Sequence, residues 1–209
     1  RRSAGLGRAP DRPDSDSYDY TYAHVDVLVV GGGTAGLAAA RAAAASGAQV
    51  LVLEQSPAWG GRAPVDGIRI DGRPADEWIA GEIAALDAMP NVTRRARTAV
   101  AGVYDHGYVL AEECLPHAPD GSPEPVLRRR LWRIRAERIV MATGAIERPL
   151  AFANNDRPGV MLAGAVRDYL ANWAVTPGDR TVLVTTNDDA YRTAIALRDA
   201  GLAVPAVLD

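Results

Sequence analysis

Apolar positions along this chain fall into two textures. Short unbroken runs occur at 25–30 ("VDVLVV"), 48–54 ("AQVLVLE"), 138–143 ("RIVMAT"), 181–186 ("TVLVTT") and 202–209 ("LAVPAVLD"). Runs this short, bounded by turn residues, fit buried parallel strands. Helical patterns lie between them. An Ala-rich helix is predicted over 34–46, with Gly47 as its C-terminal cap. A second is predicted over 75–89, where Trp78, Ile79, Ile83 and Leu86 recur at helical spacing and read as core. Further helices are predicted over 160–173 and in "DDAYRTAIALRDAG". From 92 to 139 the runs shorten and turns separate them, "DHG" and the polar "PHAPDGSPEP" among them. That texture predicts a β-meander. Its charged run "RRRLWRIR" reads as an edge ribbon with solvated arginines. Residues 1–23 are rich in Pro, Asp, Gly and Ser without periodicity and read as a linker.

The first two strands and the helix between them form a βαβ unit around Gly31-Gly32-Gly33-Thr34-Ala35-Gly36. This fits G-x-G-x-x-G at Gly31, Gly33 and Gly36. Gly31 turns the chain out of the strand, Gly33 lets the backbone approach a pyrophosphate, and Gly36 lets helix and sheet pack closely. The pyrophosphate would sit at the helix N-terminus. Glu54 ends the second strand, 23 residues after Gly31. A carboxylate there accepts hydrogen bonds from the adenosine ribose and disfavours a 2′-phosphate. The expected fold is α/β: a Rossmann-like FAD/NAD(P)-binding domain at 24–150 with a β-meander insertion, then the start of a second, degenerate Rossmann-like unit at 151–209. The loop reads only the ADP half of a ligand, so FAD and NAD both remain open. Gly60-Gly61 and the Ala142-Thr143-Gly144 turn offer further backbone contacts.

The second unit lacks the loop. After "TVLV" the chain reads Thr185-Thr186-Asn187-Asp188-Asp189-Ala190-Tyr191, with two carboxylates where phosphate would bind. Like charge predicts an empty or repurposed site.

Composition narrows the chemistry. All 23 basic residues are Arg and none is Lys, so no Walker lysine or Schiff-base nucleophile exists in these 209 residues. The net charge of −3 gives no electrostatic case for nucleic acid or an anionic membrane. No apolar run reaches the roughly 18 residues of a membrane helix. The single cysteine, Cys114, reads as structural at a strand end, and one thiol points to a reducing, cytoplasmic setting. His24, His106 and His117 show no metal-ligand spacing and read as surface or turn residues. No catalytic set is visible. The start at Arg1 and the end just after a strand-like run predict a piece of a longer polypeptide.

The stretches "HVDVLVVGGGTAGLAAA", "YDHGYVLA", "ATGAIERPLAFANNDRPGVML" and "TTNDDAYRTAIALRDAG" together resemble the α-subunit family of heterotetrameric sarcosine oxidases, from about Leu6 to Asp209. Related subunits occur in opine oxidases, hydrogen cyanide synthase and proline dehydrogenase complexes. The resemblance implies a complex that oxidatively demethylates sarcosine to glycine with formation of hydrogen peroxide. It implies β, γ and δ partner subunits, FAD in β, FMN between α and β, and NAD in this chain. It also implies a folate-binding C-terminal domain and a small ferredoxin-like upstream domain, neither present in this sequence. By motif, NAD binding carries over to Gly31, Gly33, Gly36, Glu54, Gly61 and Gly144, with Thr143 and Val100 as weaker matches, Val100 as a backbone contact to adenine. No catalytic residue carries over. Other readings are the FAD-binding domain of another amine or opine oxidase or dehydrogenase, a stand-alone enzyme of the disulfide oxidoreductase type, or a structural domain without ligand. The lone cysteine and the glycine-free second loop argue against the disulfide type.

Overall fold

The computed structural model describes Asp11 and residues 17–115 and 127–209. The "PHAPDGSPEP" loop, His117 and most of the segment that reads as linker lie outside the described residues.

The chain runs β1 (Ser17–Val30), α1 (Thr34–Ala45), β2 (Val50–Leu53), β3 (Arg69–Ile70), β4 (Arg73–Pro74), α2 (Ala75–Asp87), β5 (Val92–Arg95), β6 (Thr98–Tyr104), β7 (Tyr108–Cys114), β8 (Leu127–Met141), α3 (Ala163–Trp173), β9 (Arg180–Val184), α4 (Asp189–Asp199) and β10 (Ala203–Leu208). Six strands form one sheet in the order β5-β2-β1-β8-β7-β6. The first four are parallel, and β6, β7 and β8 form the antiparallel meander. β9 and β10 make a separate parallel pair joined through α4, the βαβ theme again.

The unbroken apolar runs are explained by burial on both faces. Val27, Val29, Val50 and Val52 pack with Leu37 and Ala40 of α1 and with Trp78, Ile79 and Leu86 of α2. Leu28, Val30, Leu51 and Leu53 pack on the other side with Val109, Ala111, Trp132 and Ile134 of the meander. The sheet therefore curls. The start of β6 meets the end of β2, where the Thr98 N–H donates to the Glu54 carbonyl at 2.8 Å. Trp132 keeps its indole N–H satisfied in that core by donating to buried Glu113 at 2.8 Å.

Three sequence expectations are corrected. Residues 17–23 are strand, not linker. Tyr18, Tyr20 and Tyr22 alternate toward solvent along β1, and their neighbours pair with β8. A ladder partner more than a hundred residues away overrides the local polarity. Second, "RRRLWRIR" is not an edge, since β8 lies between β1 and β7. Its arginines are engaged rather than merely solvated: Arg129 bonds Glu112, Arg130 holds Asp19 through two nitrogens, and Arg133 donates to the Tyr22 hydroxyl at 2.7 Å. That run and "RIVMAT" are one continuous strand. Third, α3 starts at Ala163 rather than near 160. Its first turn is closed by Glu147, which accepts the Gly164 N–H at 2.7 Å. Strand β5 ("VTRR") is too polar to announce itself, and it pairs with β2 all the same.

Candidate functional site

The glycine loop leaves β1 at the point where three strand ends are tied together. The Gly31 N–H donates to the Leu53 carbonyl and the Ala142 N–H to the Val30 carbonyl, both at 2.8 Å. Gly31 has φ +104°, and a Cβ there would lie 2.3 Å from the Ala142 carbonyl oxygen. A Cβ on Gly36 would lie 1.9 Å from the Gly31 oxygen. Gly33 is different. Its Cβ direction is open, with only the Gly61 Cα at 3.9 Å. Two of the motif glycines are thus demanded by packing, and the third faces free space.

Gly33 is also the N-cap of α1. No side chain caps this helix and no acidic residue lies in its first turn. Its free N–H groups and positive dipole end are left available to an anion. α2 carries Asp76 and Glu77 at the same place.

Glu54 is buried, 7% exposed. Its carboxylate accepts the Gly32 N–H at 2.6 Å and the Ser56 N–H at 2.7 Å. It therefore fastens the glycine loop to the end of β2. A carboxylate offers about four lone-pair sites, so two remain for a ligand. Gly60 and Gly61 approach from the far side. The Gly60 N–H donates to the Gly32 carbonyl at 2.8 Å, and Gly61, at φ +57°, lies against Gly33. Thr143 and Gly144 leave β8 beside the loop, both exposed, with Gly144 at φ +74°. Val100 stands apart. It is half-buried in β6 opposite Ala111, at a register irregularity, two residues from the Thr98–Glu54 contact. A cleft of about 380 Å³ opens at its neighbour Ala99, lined also by Gln55, Pro57, Arg97, Glu112, Cys114 and Arg129. Cys114 ends β7 as expected but is exposed, not packed into a core.

Sequence reasoning names Gly32 and Gly60 without the contacts that constrain them, and it misses Trp59 and Arg62. Gly32 is an "x" in the motif, yet a Cβ there would meet the Trp59 ring at 2.4 Å. Trp59 itself, under the Arg94 guanidinium at 4.8 Å, forms the floor. Gly60 sits at φ +104°, where a side chain is strained, and a Cβ there would also lie 2.2 Å from Ile79 Cδ1. Arg62 follows the Gly-Gly pair and donates to Asp168 of α3 at 3.0 Å and to Asp66 at 3.2 Å. Burial alone would lower the Arg62 pKa. Asp168 and Asp66 outweigh it and hold the group above its ordinary value. The pairing of glycines is visible in sequence, whereas their partners are not.

In the second unit one of the two loop carboxylates is engaged by an internal cation. Arg167 of α3, 2% exposed, donates through Nη2 to both oxygens of Asp189 at 3.0 and 3.1 Å. It also donates to the Asp189 carbonyl and to Thr193 Oγ1, and it pairs with Asp66 at 2.8 Å. The carboxylate at the start of α4 is thus occupied by an internal guanidinium.

Among the described residues, no cluster of His, Cys, Asp and Glu is suited to a metal. No helix there is long and apolar enough to cross a membrane.

The fold and the glycine loop define the class: a Rossmann-like α/β fold of the kind found in FAD- and NAD-binding oxidoreductases. Residues 26–112 match the FAD dependent oxidoreductase family. Within that class the chain is related, over nearly its whole length, to the alpha subunit of sarcosine oxidase. It is 48% identical to that subunit from Corynebacterium sp. (strain P-1), over 98% of this chain and 21% of the relative. It is 34% identical to an opine oxidase subunit of Agrobacterium tumefaciens (strain Ach5), over 88% of this chain and 36% of the relative. The chain thus spans about a fifth of the sarcosine oxidase subunit it matches. L-proline dehydrogenase from P. horikoshii shares the fold, with a TM-score of 0.70 at 24% identity over 93% of this chain and 37% of that one.

Proposed function

We propose that this segment holds the ADP half of a dinucleotide, NAD by resemblance, within the α subunit of a sarcosine oxidase-like complex. One observation carries the reading. The uncapped, acid-free N-terminus of α1 faces the one motif glycine whose Cβ direction is open. The pyrophosphate lies over Gly33 and the first turn of α1, between Gly61 and the Ala142-Thr143-Gly144 turn. The ribose takes the free lone pairs of Glu54. The adenosine end runs toward the cleft by Ala99 and Val100.

The parent complex then oxidatively demethylates sarcosine to glycine, with oxygen reduced to hydrogen peroxide. Its β, γ and δ subunits, its FAD and FMN, and the folate domain belong to that assembly. This segment supplies no catalytic residue, and a cytoplasmic location fits it. The domain limits at 23/24 and 150/151 are part of the same proposal, the first moved to residue 16 by the course of β1.

A second reading, FAD in this site, is favoured by the family match over the glycine loop. Purifying the intact complex, separating its subunits and identifying the dinucleotide released from α by mass spectrometry decides between them. NAD at about one equivalent supports the first reading. FAD traced to the α chain supports the second, and release of no dinucleotide overturns both.

Two variants test the residues. Gly33→Val is expected to lose at least roughly tenfold in dinucleotide affinity, about 1.4 kcal/mol. Its thermal midpoint should barely move, because the new side chain points into free space. Wild-type nucleotide content in this variant would remove Gly33 from the site. Glu54→Ala should both release the dinucleotide and destabilise the chain by about 1–3 kcal/mol, since the buried Gly32 N–H loses its acceptor. Unchanged retention together with a lowered midpoint would confine Glu54 to its structural bonds.

A further inference from the structure

The stretch from Gly60 to Gly67 touches both halves of the chain. Its first residues lie against the glycine loop through Gly60–Gly32 and Gly61–Gly33. It then folds back on itself, with the Ala63 N–H donating to Gly60, Asp66 to Arg62 and Gly67 to Pro64. At its far end Asp66 is held by Arg167 of α3 at 2.8 Å and approached by Arg192 of α4 at 3.8 Å. Arg62 stands between these ends, one residue from the glycine that faces Gly33.

The two ion pairs that join this stretch to α3 differ in kind. Arg167 and Asp66 are 2% and 13% exposed. Removing either partner would strand a buried charge, so that pair persists. Arg62 and Asp168 are 41% and 42% exposed. Such a pair is screened and readily exchanged for a better anion. A pyrophosphate is a better anion for arginine, since it carries more charge and accepts two parallel N–H bonds. The backbone around Arg62 is already fixed by the Asp66 N–H bond, so only the side chain has to turn.

We infer that Arg62 is an exchangeable phosphate-binding cation, for which Asp168 and the pyrophosphate of the dinucleotide compete. Asp66 accepts a second bond from the same guanidinium at 3.2 Å. Asp168 is then a competitor of the ligand, and the contact between this stretch and α3 depends on occupancy. Asp168 and the dinucleotide compete for one cation, so a change that weakens the pair from the Asp168 side tightens the dinucleotide. The inference rests on the dinucleotide reading above. It concerns the pyrophosphate, which NAD and FAD share.

The test is a double-mutant cycle in the intact complex, reading NAD retention after gel filtration and the rate of NAD loss. The wild type must retain NAD for the cycle to be read, so its failure to do so would count against the dinucleotide proposal and not against this one. Arg62→Gln should lose NAD about tenfold faster. Asp168→Asn should lose it about fivefold more slowly. In the Arg62→Gln background, Asp168→Asn should have no effect, which a merely structural aspartate would not produce. Both side chains are well exposed, and unchanged thermal midpoints will show that the variants fold. Retention in Asp168→Asn equal to or below wild type would overturn the inference, as would an Asp168→Asn effect that persists without Arg62.

Discussion

Replacing Gly36 by alanine lowers the stability of the whole first unit, by about 3 kcal/mol on the scale of an overpacked core. The cause is geometric. The new methyl would lie 1.9 Å from the Gly31 carbonyl oxygen. That carbonyl cannot retreat. Gly31 donates to Leu53, and its own Cβ direction is closed by the Ala142 oxygen at 2.3 Å. Helix α1 must instead move off the sheet, opening the packing of Leu37 and Ala40 on Val29 and Val52. In a domain of this size that loss corresponds to a fall in thermal midpoint of roughly 6–12 °C. Dinucleotide content should fall with it, because the turn that presents the N–H groups is the turn that is strained. A midpoint within a degree or two of wild type would show that the loop has slack which the geometry denies. The contrast with Gly33→Val is the sharper check: one glycine serves stability, the other ligand approach.

Arg167→Met is the second large effect, and it is expected in a different place. Arg167 is the largest fully buried side chain among the described residues. Its loss leaves the Asp66 carboxylate without its closest partner, Thr193 without a donor, and Asp189 without all three of its Arg167 bonds. Breaking a buried pair on one side costs about 3–5 kcal/mol. Asp189 is 40% exposed and can rehydrate, so we expect the lower end. The loss should appear as proteolytic cleavage within residues 163–199, while the glycine loop stays protected. Exchanging Asp66 for Leu in the same variant should restore part of the stability, since no orphaned charge then remains at that end. Uniform destabilisation without new cleavage in 163–199 would mean that Arg167 is not the fastening between the units.

The βαβ unit and its motif glycines are legible because local chemistry dictates them. Apolar runs bounded by turns, Gly47 at φ +88° after α1, and the spacing of Trp78, Ile79 and Leu86 need no distant partner to be read. What escapes depends on contacts far apart in sequence. Tyr18, Tyr20 and Tyr22 look like linker until β8 is laid beside them. The arginines of β8 look solvated until Asp19, Tyr22 and Glu112 are placed opposite. The string shows what a ligand would ask of Glu54, but its bonds to Gly32 and Ser56 have no signature there. The lost second loop is plain from its missing glycines. The capture of Asp189 by Arg167 is not, because guanidinium and carboxylate lie 22 residues apart on different helices.

The pairing of β1 with β8 also sets a schedule. Asp19 and Arg130 stand 111 residues apart along the chain, and the ladder between the two strands runs from Ser17 to Val30. β1 is made before β8, and until β8 (Leu127–Met141) follows it has only β2 to pair with among the strands of this sheet. The flank from Ser17 to Val25, which pairs with β8 alone, must wait with its backbone edge unpaired through the synthesis of α1, α2 and most of the meander. Pairings this distant slow folding and prolong the exposure of sticky intermediates. The centre of this sheet is therefore among the last parts to close, and the new chain is most vulnerable along β1.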